Sequence, residues 1–330
     1  MTETRTLVTA PATGWGRNGD SAPEGNRPTV RPGRMDTQAR RVAIGMVTPA
    51  LVLMILVAVV PIGYAIWLSL NQYSLIHPGL SRFVGLGNYI AQLTSSSWWQ
   101  AFGFSFVIGL VSVPLELIAG TGLAMLLNLA FKGRAVLRSV LLMPYAIMTV
   151  VSAIVWSSMF DPHLGLLTTV LKALHLPGGD VVWLANPGLV TVIIILAEVW
   201  KTAPFVGLLV LAGLQVIPQD VFEAAAIDGA TRWQTFWRVT LPLLAPAIAV
   251  AGVLRLLDAL RMFDLPYVFT RGANGTSTMS VLVYNTLYQN QQTGEGSALG
   301  ILTFTVVMVV ALVYIRFAGG NLRQIAKESR

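Results

Sequence analysis

The chain is 330 residues long, 55% hydrophobic and only 11% charged, with a mean hydropathy of +0.68 and a formal charge of +7. So apolar a composition excludes a soluble globular domain and puts the chain in a bilayer. The absence of cysteine excludes a disulfide framework, a thiolate metal site and a cysteine nucleophile, and the basic residues do not gather on one polar face as nucleic-acid binding requires.

Residues 1–41, which include "TGWGRNGDSAPEGNRPTVRPGRMD", are rich in Gly, Pro, Arg and small polar residues. They cannot bury enough apolar surface to offset the entropy of ordering, so they read as a disordered basic tail. The first apolar run begins at Val42 and lasts 29 residues, too late and too long for a cleaved signal peptide, so it is expected to stay as an anchor. A bilayer core takes about 20 apolar residues in helix. Six segments qualify: 42–70, 101–129, 137–160, 189–217, 243–270 and 298–318. The expected fold is therefore an all-α, polytopic membrane protein. Pro49, Pro61, Pro114, Pro144 and Pro204 fall inside spans, where neighbouring helices accommodate kinks.

Ionisable residues at membrane depth face protein or water and usually carry function. Span 2 has Glu116, span 4 has Glu198 and Lys201, and span 5 has Arg255, Asp258, Arg261 and Asp264. The pairs Glu198–Lys201 and Arg255–Asp258 stand three residues apart and can bridge along one helix. Without Glu116 the charges sum to zero, which fits internal salt bridging. The alternative is that some of them line a solute pathway.

Between spans 4 and 5, the segment 218–242 has structure written into it. "DVFE" reads as a capping box from Asp220 to Glu223 and "TRWQ" as a second from Thr231 to Gln234, with Gly229 at the left-handed position that ends a helix. Trp233, Phe236 and Trp237 share a helical face. Two short helices around a Gly turn are expected, presenting an aromatic face and an Ala-lined one (Ala224, Ala225, Ala226). That surface suits a docking partner, or else lipid. Beyond span 5, "TRGANGTSTMS" reads as an external loop. Residues 319–330 read as a C-terminal tail.

Orientation follows from the basic residues. The tail, the 130–138 region, the 218–242 segment and the C-terminus carry 16 of the 22 Lys and Arg, whereas the opposite loops hold only Arg82, Lys172 and Arg271. The positive-inside rule puts both termini and the 218–242 segment in the cytoplasm. Trp98, Trp99 and Trp183 fit an outer aromatic belt. His77, His163 and His175 lie in external loops without ligand spacing.

Glu223-Ala224-Ala225, three residues, Gly229, nine residues, Val239, one residue, then Leu241-Pro242: this pattern resembles the EAA loop of permease subunits in ABC importers. "PIGYAIWLSL", "FVGLGNY", "LLMPYAI", "LAGLQVIP" and "RLLDALRMFDLPYVFTRG" resemble the carbohydrate-uptake branch, and "AEVWKTAPF" and "LDALRMFDLPYVFT" its actinobacterial trehalose-importing members. The likeness covers residues 42–318. It implies the six-helix type I importer-permease fold in the bacterial cell membrane, with the EAA loop as a coupling helix docked on an ATPase. Glu223 would form an ion pair there and Gly229 the turn, flanked by Ala224, Ala225, Leu241 and Pro242.

The implied partners are a second permease subunit, two copies of a cytoplasmic ATPase, an extracytoplasmic sugar-binding lipoprotein and membrane lipid, with no nucleic acid. ATP and Mg would be held by the ATPase subunits. This chain itself has no G-x-x-x-x-G-K-[ST] loop, and no cofactor or metal is expected on it. A sugar presents hydroxyls to charged and amide groups and C–H faces to aromatic rings. The candidate pathway residues are therefore Tyr145, Glu198, Trp200, Lys201, Arg255, Asp258, Arg261, Asp264, Tyr284, Asn285 and Tyr288. An ion-coupled secondary transporter is the competing reading, since such carriers also use intramembrane carboxylates. A membrane-embedded enzyme has no catalytic constellation to support it.

Overall fold

In a computed structural model, residues 37–74, 79, 81–129 and 132–328 of the protein are described. Residues 1–36 of the tail expected at 1–41, and His77, lie outside them, and residues 37–41 of that tail already belong to helix α1 (Thr37–Ser69). The chain divides into two units after Val57. The first holds the amino-terminal part of α1, where Leu51, Leu53, Met54 and Leu56 are all exposed on a helix without a polar face.

The second unit begins with the rest of α1 and a two-residue antiparallel ladder, β1 (Asn71–Gln72) on β2 (Arg82–Phe83), with Asn71 opposite Phe83. Then follow α2 (Gly87–Leu93), α3 (Ser96–Asn128), α4 (Arg134–Ala146), α5 (Thr149–Met159), α6 (Leu166–Ala173) and α7 (Pro187–Val216). They are succeeded by α8 (Gln219–Ile227), α9 (Arg232–Thr235), α10 (Leu241–Leu260), α11 (Asp264–Thr270), α12 (Met279–Tyr284) and α13 (Thr293–Glu328). The backbone of α13 thus stays helical beyond residue 318, where a tail was expected.

Helix starts follow local chemistry. Asn186 accepts hydrogen bonds from the Gly188 and Leu189 N–H groups, with Pro187 at the first position of α7, where its missing donor is harmless. Thr278 caps α12 through the Val281 N–H.

Five helical segments are long and apolar enough to cross a membrane: Ile44–Ser69, Ser96–Asn128, Pro187–Val216, Arg232–Thr270 and Thr293–Phe317. Over 137–160, expected as one spanning helix, the chain instead forms the pair α4 and α5, bent by 91°. Pro144 cannot donate within the helix, and Ile147 and Met148 then leave helical conformation, with ψ 136° at both.

The core lies where α3, α7 and α10 cross. Ala124, Val206, Val210, Leu244 and Ala251 are buried there, while Leu110 and Ile118 on the outer side of α3 are exposed, as lipid contact requires. Close approach depends on glycine: a Cβ on Gly120 would sit 2.5 Å from Val206 Cβ and 2.9 Å from the Ala203 carbonyl. Gly120→Leu is accordingly expected to destabilise this crossing by about 1–3 kcal/mol, read as a lowered melting temperature of the purified protein. An unchanged melting temperature would mean that the crossing is loose.

Toward the other end, Trp98 is buried with Met279 and Leu299, joining α3, α12 and α13. That corrects its placement in an aromatic belt. Trp99 is exposed, and Trp183 packs edge-on against Phe160.

Candidate functional site

Two interruptions in membrane helices face one cavity of about 530 Å³. The break between α4 and α5 contributes Tyr145, Ile147, Met148 and Thr149. The interruption between α10 and α11 contributes Arg261, Met262, Phe263 and Asp264, and the walls add Glu198, Lys201 and Thr202 of α7 with Arg255 and Asp258 of α10. Unwound backbone at membrane depth is tolerated where it lines a cavity.

Arg255 is the hub of the charges. Its Nε donates to Glu116 Oε2 at 2.6 Å, one amino group to Glu198 Oε1 at 2.5 Å and the other to Asp258 Oδ2 at 3.1 Å. Glu116 and Arg255 are 0% and 4% exposed, so α3, α7 and α10 are tied through a dry ion cluster. Asp258 also accepts from Arg261 at 3.3 Å.

Lys201 does not pair with Glu198, as its i,i+3 spacing suggested. Its ammonium donates to the Ile147 carbonyl at 2.9 Å and stands 5.7 Å from the centre of the Tyr145 ring. The break itself creates that acceptor: a carbonyl freed at the bend would be unsatisfied in apolar surroundings, and the cation of α7 takes it. Glu198 turns to Arg255 because a planar guanidinium meets several carboxylates at once.

Of the candidate pathway residues, Tyr145, Glu198, Lys201, Arg255, Asp258, Arg261 and Asp264 all line the cavity. Trp200 does not: it packs against Trp156, 5.9 Å between ring centres. Tyr284 and Tyr288 belong to an adjoining aromatic cluster, Tyr284 being 5.1 Å from Phe263 and 5.0 Å from Tyr267. Asn285 donates to the Arg271 carbonyl at 3.3 Å.

Sequence reasoning missed Thr149, Thr202 and Phe263, and it set Glu116 aside although Glu116 is the closest partner of Arg255 Nε. The signal for Glu116 was present, since a carboxylate at membrane depth needs a cation. Outside the spans, backbone N–H bonds from Leu164 and His163 hold the Asp161 carboxyl below the usual range and fix the turn after α5.

The second feature is the segment around α8. Pro218, not Asp220, is the residue before the helix, and no side chain caps it. The proposed Asp220–Glu223 box is absent because the chain enters from the proline and Asp220 already lies in the first turn. At the other end the glycine argument applies. Gly229 has φ +75°, and N–H groups of Gly229 and Ala230 close back onto the Ala226 and Ala225 carbonyls at 3.1 and 3.0 Å, a Schellman closure.

Thr231 and Gln234 form the expected capping box. The second helix is not separate, however. It widens over Phe236–Thr240 into a π turn and runs on into α10. Pro242 cannot donate to the Arg238 carbonyl, and the Leu241 N–H reaches back to Phe236 instead. Trp233, Phe236 and Trp237 touch one another, with ring centres 5.2–6.3 Å apart. Trp233 is 69% exposed and Ile227 86%. Glu223 is exposed and has no hydrogen-bond or ion-pair partner among the described residues.

Comparisons with known proteins agree with this geometry. Residues 84–322 match the family model "Binding-protein-dependent transport system inner membrane component". The chain is 41% identical over 280 residues to the trehalose transport system permease protein SugA of Mycobacterium tuberculosis, covering 85% of this chain and 89% of that one. It is 41% identical over 273 residues to the trehalose/maltose transport system permease protein MalF of Thermococcus litoralis, covering 82% and 91%. Among solved structures, a chain of the bacterial alginate ABC transporter, crystallised with alginate pentasaccharide-bound periplasmic protein, superposes with a TM-score of 0.75 at 22% identity, covering 86% and 96%. At that identity the match speaks for the fold alone.

Proposed function

Because the chain belongs to the family of binding-protein-dependent transport system inner membrane components, the membrane-spanning permeases of ABC importers, we propose that it imports a sugar, a disaccharide such as trehalose, through the cavity between its two helix interruptions. The observation that carries this is the cavity's lining. Charged groups at membrane depth stand beside the Tyr145 ring in a space of about 530 Å³, large enough for a disaccharide. Hydroxyls have donors and acceptors there, and a C–H face has an aromatic surface. The relatives named for trehalose support the choice of sugar.

In this reading α8 is the coupling helix. It sits in a cleft of a cytoplasmic ATPase, where Glu223 finds the cationic partner it lacks among the described residues and Gly229 makes the turn back toward the membrane. A second permease subunit completes the pathway, two ATPase copies hold ATP and Mg, and an external binding lipoprotein delivers the sugar. Both termini are cytoplasmic, on the strength of the basic-residue distribution.

The test is uptake and ATP hydrolysis by the complete complex in proteoliposomes. Trehalose with its binding protein is expected to stimulate both, and a protonophore to leave uptake unchanged. Uptake that needs no ATP and collapses with the proton gradient would replace this reading with an ion-coupled carrier.

A further inference from the structure

We propose that Tyr288, Tyr284 and Phe263 form an aromatic track along which the sugar descends from the outer mouth of the permease into the cavity. This rests on the cavity being the solute route and on the orientation inferred from the basic residues.

The rings are brought together from two segments. Phe263 stands in the interruption between α10 and α11 and lines the cavity, and Tyr267, one turn later, stacks on it at 4.9 Å. Tyr284 ends α12, 5.1 Å from Phe263 and 5.0 Å from Tyr267. A π turn over Asn285–Gln289, closed by the Asn290 N–H on the Asn285 carbonyl at 2.8 Å, continues that helix. Such turns are rare and occur frequently at functional sites. This one carries Tyr288, whose ring lies 5.1 Å from that of Tyr284. Phe263, Tyr267 and Tyr284 are partly buried, whereas Tyr288 is 68% exposed. Two steps of 5.1 Å, each close to the width of one sugar ring, therefore lead from an exposed residue to the cavity wall.

An aromatic cluster that serves packing alone is closed over by its neighbours. This one stays open along its length, and its outer end is rich in amides: Gln289, Asn290, Gln291 and Gln292 follow Tyr288 directly, and all four are exposed. Primary amides both donate and accept hydrogen bonds, as sugar hydroxyls do, and ring faces receive the C–H surface of a sugar. Lipid would leave those amides without partners, so open rings beside amides fit a carbohydrate. The positive-inside distribution puts the turn between α12 and α13 on the outer side, where a binding protein releases its sugar. Contacts with uncharged rings and amides hold a sugar weakly at each step, so it can leave one ring for the next.

The test is trehalose uptake and ATP hydrolysis by the complete complex in proteoliposomes with its binding protein. Tyr284→Leu with Tyr288→Leu keeps apolar bulk and removes both ring faces, whereas Tyr284→Phe with Tyr288→Phe keeps the faces. Without the track, sugar released at the mouth reaches the cavity less often, while nucleotide turnover continues. The Leu pair is therefore expected to import about fivefold less trehalose per ATP hydrolysed, with an unchanged melting temperature. The Phe pair should stay within about twofold of the unaltered protein. A packing defect would lower hydrolysis and uptake together and leave their ratio alone. An unchanged ratio in the Leu pair, or an equal fall in the Phe pair, would overturn the inference.

The route itself is checked separately. Because this chain has no cysteine, Thr149→Cys gives it a single thiol on the cavity wall, in a complex whose other reactive cysteines are replaced. A bulky methanethiosulfonate there is expected to block uptake. If it does so while the Leu pair imports normally, the cavity remains the route and only the track is refuted. Uptake untouched by the label would remove the route and the track with it. If the Leu pair does not assemble, Tyr288→Leu alone decides: its side chain is exposed, a ratio about twofold lower is expected, and an unchanged one refutes the track.

Discussion

Glu223→Ala is expected to abolish sugar-stimulated ATP hydrolysis and uptake in a complex that still contains all its subunits. A nine-residue helix, Gln219–Ile227, with no buried residue is too short to be stable in water by propensity alone. It also exposes Ile227 and the Glu223 carboxylate, which has no partner among the described residues. Those features fit a helix completed by another protein: the alanines allow a backbone to approach, and the carboxylate waits for a cation. Truncating one partner of a buried interfacial charge pair costs about 2–5 kcal/mol. That is enough to reduce coupled turnover by well over tenfold at fixed subunit content. Glu223→Gln should retain part of the activity through its remaining hydrogen bonds. If Glu223→Ala hydrolyses ATP and imports sugar normally, α8 is better explained as an interfacial helix held against lipid by Trp233 and Trp237, and the coupling role falls.

The features legible in the sequence were those that depend on neighbours along the chain. Apolar runs mark the crossings, the Thr231–Gln234 box and Gly229 mark the turn after α8, and the Arg255–Asp258 pair lies on one helix, so spacing reveals it. What could not be read depends on elements brought together from afar. Glu116 lies 139 residues from its partner Arg255, and nothing in either local sequence selects that partner. The hydrogen bond of Lys201 is harder still, because its acceptor is a backbone carbonyl that becomes available only when α4 and α5 break at Ile147. Pro144 announced a kink, but its size depends on packing against α7 and α11. The Asp220 box failed for a different reason: the motif was present, but the proline two residues earlier fixed where the helix begins. In span 5 the warning was Pro266, which cannot donate to the Met262 carbonyl; that carbonyl accepts from the distant Thr278 hydroxyl instead, a partner no local sequence reveals.

Removal of the Arg255 guanidinium separates the two roles that the intramembrane charges could play. Arg255→Met leaves Glu116 and Glu198, 0% and 7% exposed, facing each other with no cation. Breaking a buried ion cluster from one side costs about 3–5 kcal/mol, so little assembled complex is expected, measured as the monodisperse fraction on size exclusion. Arg255→Lys should fare only somewhat better, since an ammonium cannot span three carboxylates as a guanidinium does.

The informative variant is the triple change Arg255→Met, Glu116→Gln and Glu198→Gln. With no charge left to strand, assembly and melting temperature should recover most of the loss, because a buried ion cluster replaced by neutral groups is often neutral in stability. Uptake should not recover with them. Asp258 would have lost the bond from Arg255 that holds it at the cavity wall, and Glu198 its charge. Recovery of both assembly and uptake would make the cluster a structural tie between α3, α7 and α10 and nothing more. Recovery of assembly alone would show that the ions holding these helices together also shape the route between them.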